Sequence, residues 1–272
     1  MKAAVYYENG DPDVFKYEDV ADPRCHPKGV VIKVEAVSIE GGDTLNRLRG
    51  ALSSRPHIVG YQAAGEIVET GSEVTDLKVG QKVTTVAGDG SHAALRAVPA
   101  RNAWSLPEGM DVRIAAAIPV PFGTAHDCLF EFGRLKAGET VLVQAGASGV
   151  GVAAIQLAKR AGARVFATAS GDDRLERLKA LGMDEGINYS DEDLVQRVMQ
   201  LTDNEGVDPG RGFRRRLDPA EKHSRAWLSR TRLDGGRGRA RTDAGGCVHD
   251  DGRQPLALGS IPGRGDRHRP RP

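Results

Sequence analysis

The stretch "TVLVQAGASGVGVAAIQLAKRAGARVFATAS", residues 140–170, constrains the fold more than any other part of this chain. It opens with a continuous apolar run, "TVLVQA", as expected of a strand covered on both faces of a parallel sheet. A glycine-rich turn follows, with Gly146, Gly149 and Gly151 around Ser148 and Val150. Apolar positions then recur at helical spacing: Ile155, Ala158 and Gly162 share a face, with Leu157 and Ala161 beside it. "ARVFATAS" (163–170) reads as a second strand and "DDRLERLKALG" (172–182) as a second helix stopped by Gly182. Strand, glycine turn, helix and strand make a βαβ unit, whose crossover should be right-handed. Such a turn lets the backbone approach a pyrophosphate and aims the free amides of the following helix at it. Glycine turns also serve tight packing alone, but the position between a buried strand and a helix is the one that dinucleotide binding demands.

The end of the second strand bears on which dinucleotide is meant. NAD sites place an Asp or Glu there for the ribose 2′-hydroxyl. This chain has "ATASGDDR", with Thr168 and Ser170, then Asp172, then Arg174. A hydroxyl and a guanidinium suit a 2′-phosphate better, so NADP is the expected cofactor. The bland alternatives are that Asp172 caps the next helix and that Arg174 is a solvated surface charge.

Upstream the period is different. "KAAVYY", "GVVIKVEAVSI", "AAGEIVETG" and "GQKVTTVAG" are short runs rich in Val, Ile and Thr, broken by glycine, with little in residues 1–100 that looks like an amphipathic helix. They predict a compact, mostly antiparallel β domain. The fold class expected is therefore α/β, with a β domain over 1–115 and a dinucleotide domain over 116–208.

The chain changes character at Pro209. Residues 209–272 carry 15 Arg and one Lys against six Asp and one Glu, a net charge of +9, whereas 1–208 carries −8. The overall balance of +1 describes neither part. With glycine, arginine and proline scattered among few apolar residues, 209–272 is expected to be irregular. Cys25, Cys128 and Cys247 fit no metal or disulfide spacing. No apolar run approaches a membrane span, and "MKAAVYYENG" is not a signal-peptide pattern, so the expectation is a soluble cytoplasmic protein with no membrane partner.

Taken together, "VVIKVEAVSIEGGDTLNRLRG", "GYQAAGEIVETGSEVTDLKVGQKV", "GSHAALRAVPA", the glycine-turn segment and "GINYSDEDL" resemble the medium-chain dehydrogenase/reductase superfamily, and within it the zinc-independent quinone oxidoreductases. The resemblance covers residues 1 to about 208. It implies a GroES-like β domain followed by a Rossmann-type doubly wound domain, incomplete here, with NADPH between them and a small quinone or enone as hydride acceptor. Zinc-dependent relatives place a Cys in the loop after "VEAVSI" and a His-Glu pair where this chain has Tyr61-Gln62. That loop reads "EGGDTL", and phenol and amide are not usual zinc ligands, so no metal is expected.

The resemblance also implies site residues. Asp43 matches a substrate-loop aspartate, although Glu40 stands where relatives commonly carry Asn. Tyr61, at the place of the His-Glu pair of zinc-dependent relatives, is a further candidate catalytic residue. Thr124, in "PFGTAHDC", matches a threonine near the nicotinamide, and Tyr189, in "INY", a tyrosine on the adenosine 2′-phosphate. Helix capping for Thr124 and half-buried packing for Tyr189 are the structural alternatives. His57, His92 and His126 match no family role and read as structural or surface histidines. An enoyl-thioester reductase shares this fold and cofactor. A homodimer is the family-like state, put in question by the altered C-terminal segment.

A family member would continue "GVD" with a buried strand and a "DSVGG" turn. "GVDPGRGFRRRLDPAEK" cannot form a strand in the middle of a parallel sheet. A slipped reading frame accounts for it. Residues 211–218, "RGFRRRLD", admit a coding string that reads "VDSVGGST" one base later. Residues 223–232, "HSRAWLSRTR", give "IRALGYRGR" in the same shifted frame. The competing reading is an arginine-rich segment that binds nucleic acid or another polyanion. Against it, Phe213 and Trp227 are the segment's only aromatic residues available for stacking, and no binding motif is recognisable.

Overall fold

A computed structural model describes residues 1–204, Val207 and the backbone of Trp227–Ser229. The expectation of an irregular 209–272 segment falls on residues outside these, apart from that three-residue strand.

The first half is antiparallel throughout. Lys2–Val5 (β1) pairs with Lys16–Asp19 (β2). Gly29–Ser38 (β3), Gln62–Thr70 (β4), Lys82–Val86 (β5), Leu95–Pro99 (β6) and Ala103–Ser105 (β7) form a five-stranded sheet in the order β6-β3-β4-β5-β7. Alternation directs Val30, Ile32, Ala63, Ile67 and Val83 into one core. On its other side Val112–Ala116 (α2) packs Ala115 and Ala116 against Ala64.

One element departs from the expectation of little helix in residues 1–100. Gly41–Arg49 (α1) is an α-helix whose only buried residue is Asp43. An apolar stripe could not have revealed it. Asp43 Oδ2 accepts from Glu40 N at 2.8 Å, closing the first turn, and Asn9 Nδ2 donates to the Asn46 and Arg47 carbonyls at the last.

Pro119–His126 (α3) leads through a π-helical turn, Asp127–Phe132, to the second sheet. There Thr140–Gln144 (β8), Arg164–Ala169 (β9) and Glu185–Asn188 (β10) run parallel. Gly149–Arg160 (α4) and Asp172–Lys179 (α5) are the crossovers, and Leu194–Leu201 (α6) follows. Val141 and Val143 pack toward Ala154 and Ala158 of α4, while Leu142 joins Phe166, Ile187, Val198 and Val207 on the opposite face. That two-sided burial is why the "TVLVQ" strand is continuously apolar.

Trp227–Ser229 (β11) pairs antiparallel with the outer edge of β8. An open strand edge presents main-chain donors and acceptors that another backbone can satisfy without apolar side chains.

Candidate active site

The glycine turn is built by its neighbours as much as by its own residues. Ala145 takes a positive φ of 51°, and its amide donates to Thr168 Oγ1 at 3.1 Å; Gly146 N donates to the Thr168 carbonyl at 2.8 Å. The buried hydroxyl of β9 therefore shapes the turn that leaves β8. Ser148 caps α4, its Oγ accepting from Gly151 N at 3.1 Å. Gly151 is buried, and a Cβ there would lie 2.4 Å from the Ala145 carbonyl oxygen. Gly149 is exposed, and a Cβ on it would meet only Pro121 Cγ, at 3.8 Å. Val150 is half-buried against the sheet core. The result is a helix of 12 residues whose N-terminus has an open flank beside Gly149. A pyrophosphate fits such a place by charge and by clearance.

Three further residues meet at the carboxyl ends of β9 and β10. Ser170 Oγ accepts from Arg174 Nη1 at 3.3 Å, and both side chains are exposed. Tyr189 follows β10, its amide bonded to the Ala169 carbonyl at 3.2 Å and its ring 54% exposed. This is an accessible rim position rather than half-buried packing. Asp172 does not cap α5, since Gly171 precedes the helix; its carboxylate accepts from Asn188 Nδ2 at 3.0 Å. Asp172 is thus partnered by Asn188, while Asp173 beside it is exposed.

The second part of the site lies where α1, β4 and α3 meet. Asp43 is buried, with its carboxylate on the Glu40 amide, and burial raises its pKa above the ordinary carboxylate range. Tyr61 is half-buried; its hydroxyl accepts from Asn46 Nδ2 at 3.0 Å, and burial raises its pKa. Gln62 is fully buried and reaches two ways. Its Oε1 accepts from Val120 N in α3 at 2.8 Å, and its Nε2 donates to Glu40 Oε1, which also accepts from Ser38 Oγ at 3.2 Å. Thr124 lies one turn beyond Val120, inside α3, so it is not a capping residue.

Behind Asp43 sits Arg96, 2% exposed, donating to the carbonyls of Gly60, Tyr61 and Asp89 and to Thr85 Oγ1. Burial brings its guanidinium down to about 10, so it stays charged at neutral pH. His57 packs edge-on against Tyr6, with centroids 5.0 Å apart, and His126 is exposed. Among the described residues no three His, Cys, Asp or Glu side chains cluster as a metal site, and no helix is long and apolar enough to cross a membrane.

Sequence reasoning missed three of these features: the Glu40–Gln62–Val120 chain, the turn-shaping Thr168 and the buried Arg96. Only Thr168 left a signal, as a hydroxyl in an otherwise apolar strand.

An antiparallel domain feeding a parallel sheet with a glycine turn at its first crossover defines a two-part fold of the dinucleotide-binding kind. Known families agree. Residues 26–108 match the alcohol dehydrogenase GroES-like domain, and 149–209 match the zinc-binding dehydrogenase family. A quinone oxidoreductase of Pseudomonas aeruginosa is 33% identical over 198 residues, 71% of this chain and 60% of that protein. The crystal structure of the Escherichia coli quinone oxidoreductase complexed with NADPH superposes with a TM-score of 0.70 at 26% identity, over 76% of this chain and 64% of that one. The CurK enoyl reductase gives 0.71 at 29% identity, over 76% and 65%. The chain belongs to the medium-chain dehydrogenase/reductase superfamily and is quinone oxidoreductase-like. It spans about 60–65% of the length of these relatives.

Proposed function

We propose that the chain is organised as an NADPH-dependent reductase of quinones or enones that works without zinc. The pairing of the exposed Ser170 and Arg174 at the end of β9, where no Asp or Glu takes the position of Ser170, is the observation that supports the cofactor choice. When bound, the cofactor supplies two electrons and a hydrogen as hydride. The pyrophosphate rests on the α4 N-terminus over Gly146, Ser148, Gly149, Val150 and Gly151. Ser170, Arg174 and Tyr189 receive the 2′-phosphate. Thr124 borders the nicotinamide. Asp43 positions the 40–43 loop from behind through the Glu40 amide, and Tyr61 walls the acceptor side.

NADPH binds more tightly than NADH by at least about tenfold, or 1.4 kcal/mol, within reach of one charge-assisted contact. Arg174→Glu reverses the order. Nucleotide fluorescence titration of both proteins measures it, and a parent chain that prefers NADH overturns the assignment.

Zinc independence is supported by the donor set. Glu40, Tyr61 and Gln62 occupy the region where zinc-dependent relatives carry Cys, His and Glu, and the Gln62 amide is already committed to Glu40 and α3. The name of the matching zinc-binding family describes that family, not a ligand set here. Elemental analysis after chelator treatment finds no zinc, with activity unchanged; stoichiometric zinc retained through purification refutes this.

The match to an enoyl reductase supports a second reading, an enoyl-thioester acceptor on the same site. Comparing kcat/KM for naphthoquinone, cyclohexenone and a crotonyl thioester separates the two.

A further inference from the structure

We propose that Asn188 is a specificity-determining residue: by holding the Asp172 carboxylate against β10, it keeps the first acid after β9 away from the nucleotide and favours NADPH over NADH. This rests on the cofactor reading above. Asn188 acts through another side chain, which makes it a positioning residue.

Asp172 stands close to where it would make this an NAD site. It begins α5, two residues after Ser170. An acid at the end of the second strand is what binds the ribose 2′-hydroxyl in NAD enzymes. Here its carboxylate reaches across to β10 instead. Asn188 is the last residue of that strand, is 6% exposed, and pairs with Ala169 in the parallel register. Its Nδ2 donates to Asp172 Oδ1 at 3.0 Å and to Asp191 Oδ2 at 2.7 Å. Its Oδ1 accepts from Ser190 N at 3.2 Å. Two carboxylates on one side and a main-chain N–H on the other fix which end of the amide is which.

Asn188 is the anchored member of this pair. Its backbone amide donates to Glu192 Oε1 at 3.2 Å, and its carbonyl accepts from Asp191 N and Glu192 N at 3.1 and 2.9 Å. Strand pairing, burial and a turn therefore hold it in place. Asp172 is exposed, so packing does little to direct its side chain. The bond from Asn188 gives that carboxylate its direction.

Other side chains at this position cannot do the same. An aspartate would set three carboxylates together. An alanine would leave Asp172 and Asp191 as like charges with no donor between them. Asp172 then turns toward the Arg174 guanidinium, which lies on Ser170 Oγ at 3.3 Å. From there it competes with the 2′-phosphate for Arg174 and offers an acceptor to a ribose 2′-hydroxyl. Asp173 is exposed whichever residue stands at 188, so it contributes alike to every variant.

The test uses the full chain with Asn188→Ala, Asp172→Ala and the two combined. Fluorescence titration gives Kd for NADPH and for NADH, with thermal melts alongside. In Asn188→Ala the preference for NADPH falls by at least about tenfold. Asp172→Ala alone leaves the preference unchanged, because that carboxylate is already withheld. In the combined variant the parental preference returns, although the packing lost at 188 does not. A merely structural Asn188 would leave the combined variant as impaired as the single one. Asn188→Ala with the parental preference overturns this inference and leaves the cofactor reading intact, as does a combined variant that is not rescued. If Asn188→Ala does not fold, Asp172→Ala decides. A preference raised about tenfold in that variant shows Asp172 already at the nucleotide and refutes the role. A parent chain that prefers NADH, or binds neither nucleotide, refutes the cofactor reading, and this inference falls with it.

Discussion

Reading residues 209 onward one base later raises NADPH affinity and quinone reduction together, each by well over tenfold, and raises the melting temperature. The motive is the break at Pro209, where an acidic, strand-and-helix sequence gives way to one of net charge +9. The relatives matched have about a third of their length outside the match. In the resembled fold a buried parallel strand would follow "GVD" and extend the sheet begun by β8 and β9. Here the described partner on the outer edge of β8 is the three-residue antiparallel β11. A fully buried Val, Leu or Ile contributes about 1.5–3 kcal/mol, against a net stability of about 5–15 kcal/mol for a whole domain. One or two apolar strands therefore decide whether the cofactor half holds together. Thermal melts and nucleotide titrations of the 272-residue chain and its re-framed counterpart give the comparison. Equal affinity and equal activity in the two would sink the slipped-frame reading.

The second large effect separates two glycines of one turn. Gly151→Val unfolds the cofactor half, because the new Cβ would stand 2.4 Å from the Ala145 carbonyl oxygen and 2.7 Å from that of Gly146. Both are backbone atoms between β8 and α4 and cannot step aside as a side chain would. A loss of at least about 3 kcal/mol is expected, at the upper end of single-substitution effects. Gly149→Val behaves differently. Its Cβ has only an ordinary contact, so the melting temperature changes little, but the branched side chain fills the flank where the pyrophosphate is proposed to lie. NADPH affinity falls by about 100-fold or more, a difference of about 2.7 kcal/mol. Thermal denaturation and fluorescence titration of both variants check this. A Gly149→Val protein that binds NADPH normally would place the nucleotide elsewhere.

The two parts of the fold were legible in the sequence for different reasons. "TVLVQA" and "ARVFATAS" announce buried parallel strands because both faces are covered, as Leu142 and Val143 show from opposite sides. The antiparallel sheet was readable from short runs rich in Val, Ile and Thr, broken by glycine. Helix α1 was not, because Leu45 and Leu48 are exposed and its one buried residue is a carboxylate; capping and contacts from Asn9 and Tyr61 define it instead. Ser170 and Tyr189 could be read as neighbours because they directly follow adjacent parallel strands, with Arg174 in the first turn of α5; their cofactor role is part of the proposal above. The Glu40–Gln62–Val120 chain could not, since its members are far apart in sequence and amide or carboxyl side chains carry no periodic signature. Arg96, in "GSHAALRAVPA", reads as an outward strand charge; only the carbonyls that surround it show that it points inward.

The hydrogen bond from Ala145 N to Thr168 Oγ1 has a bearing on transplantation. The glycine turn is not a portable cassette. A designer who grafts "GASGVG" with its flanking strand and helix onto another scaffold leaves behind the hydroxyl that holds Ala145 at its left-handed angle. The graft must carry a threonine on the adjacent strand, in register with the turn, or its glycines will relax into some other loop.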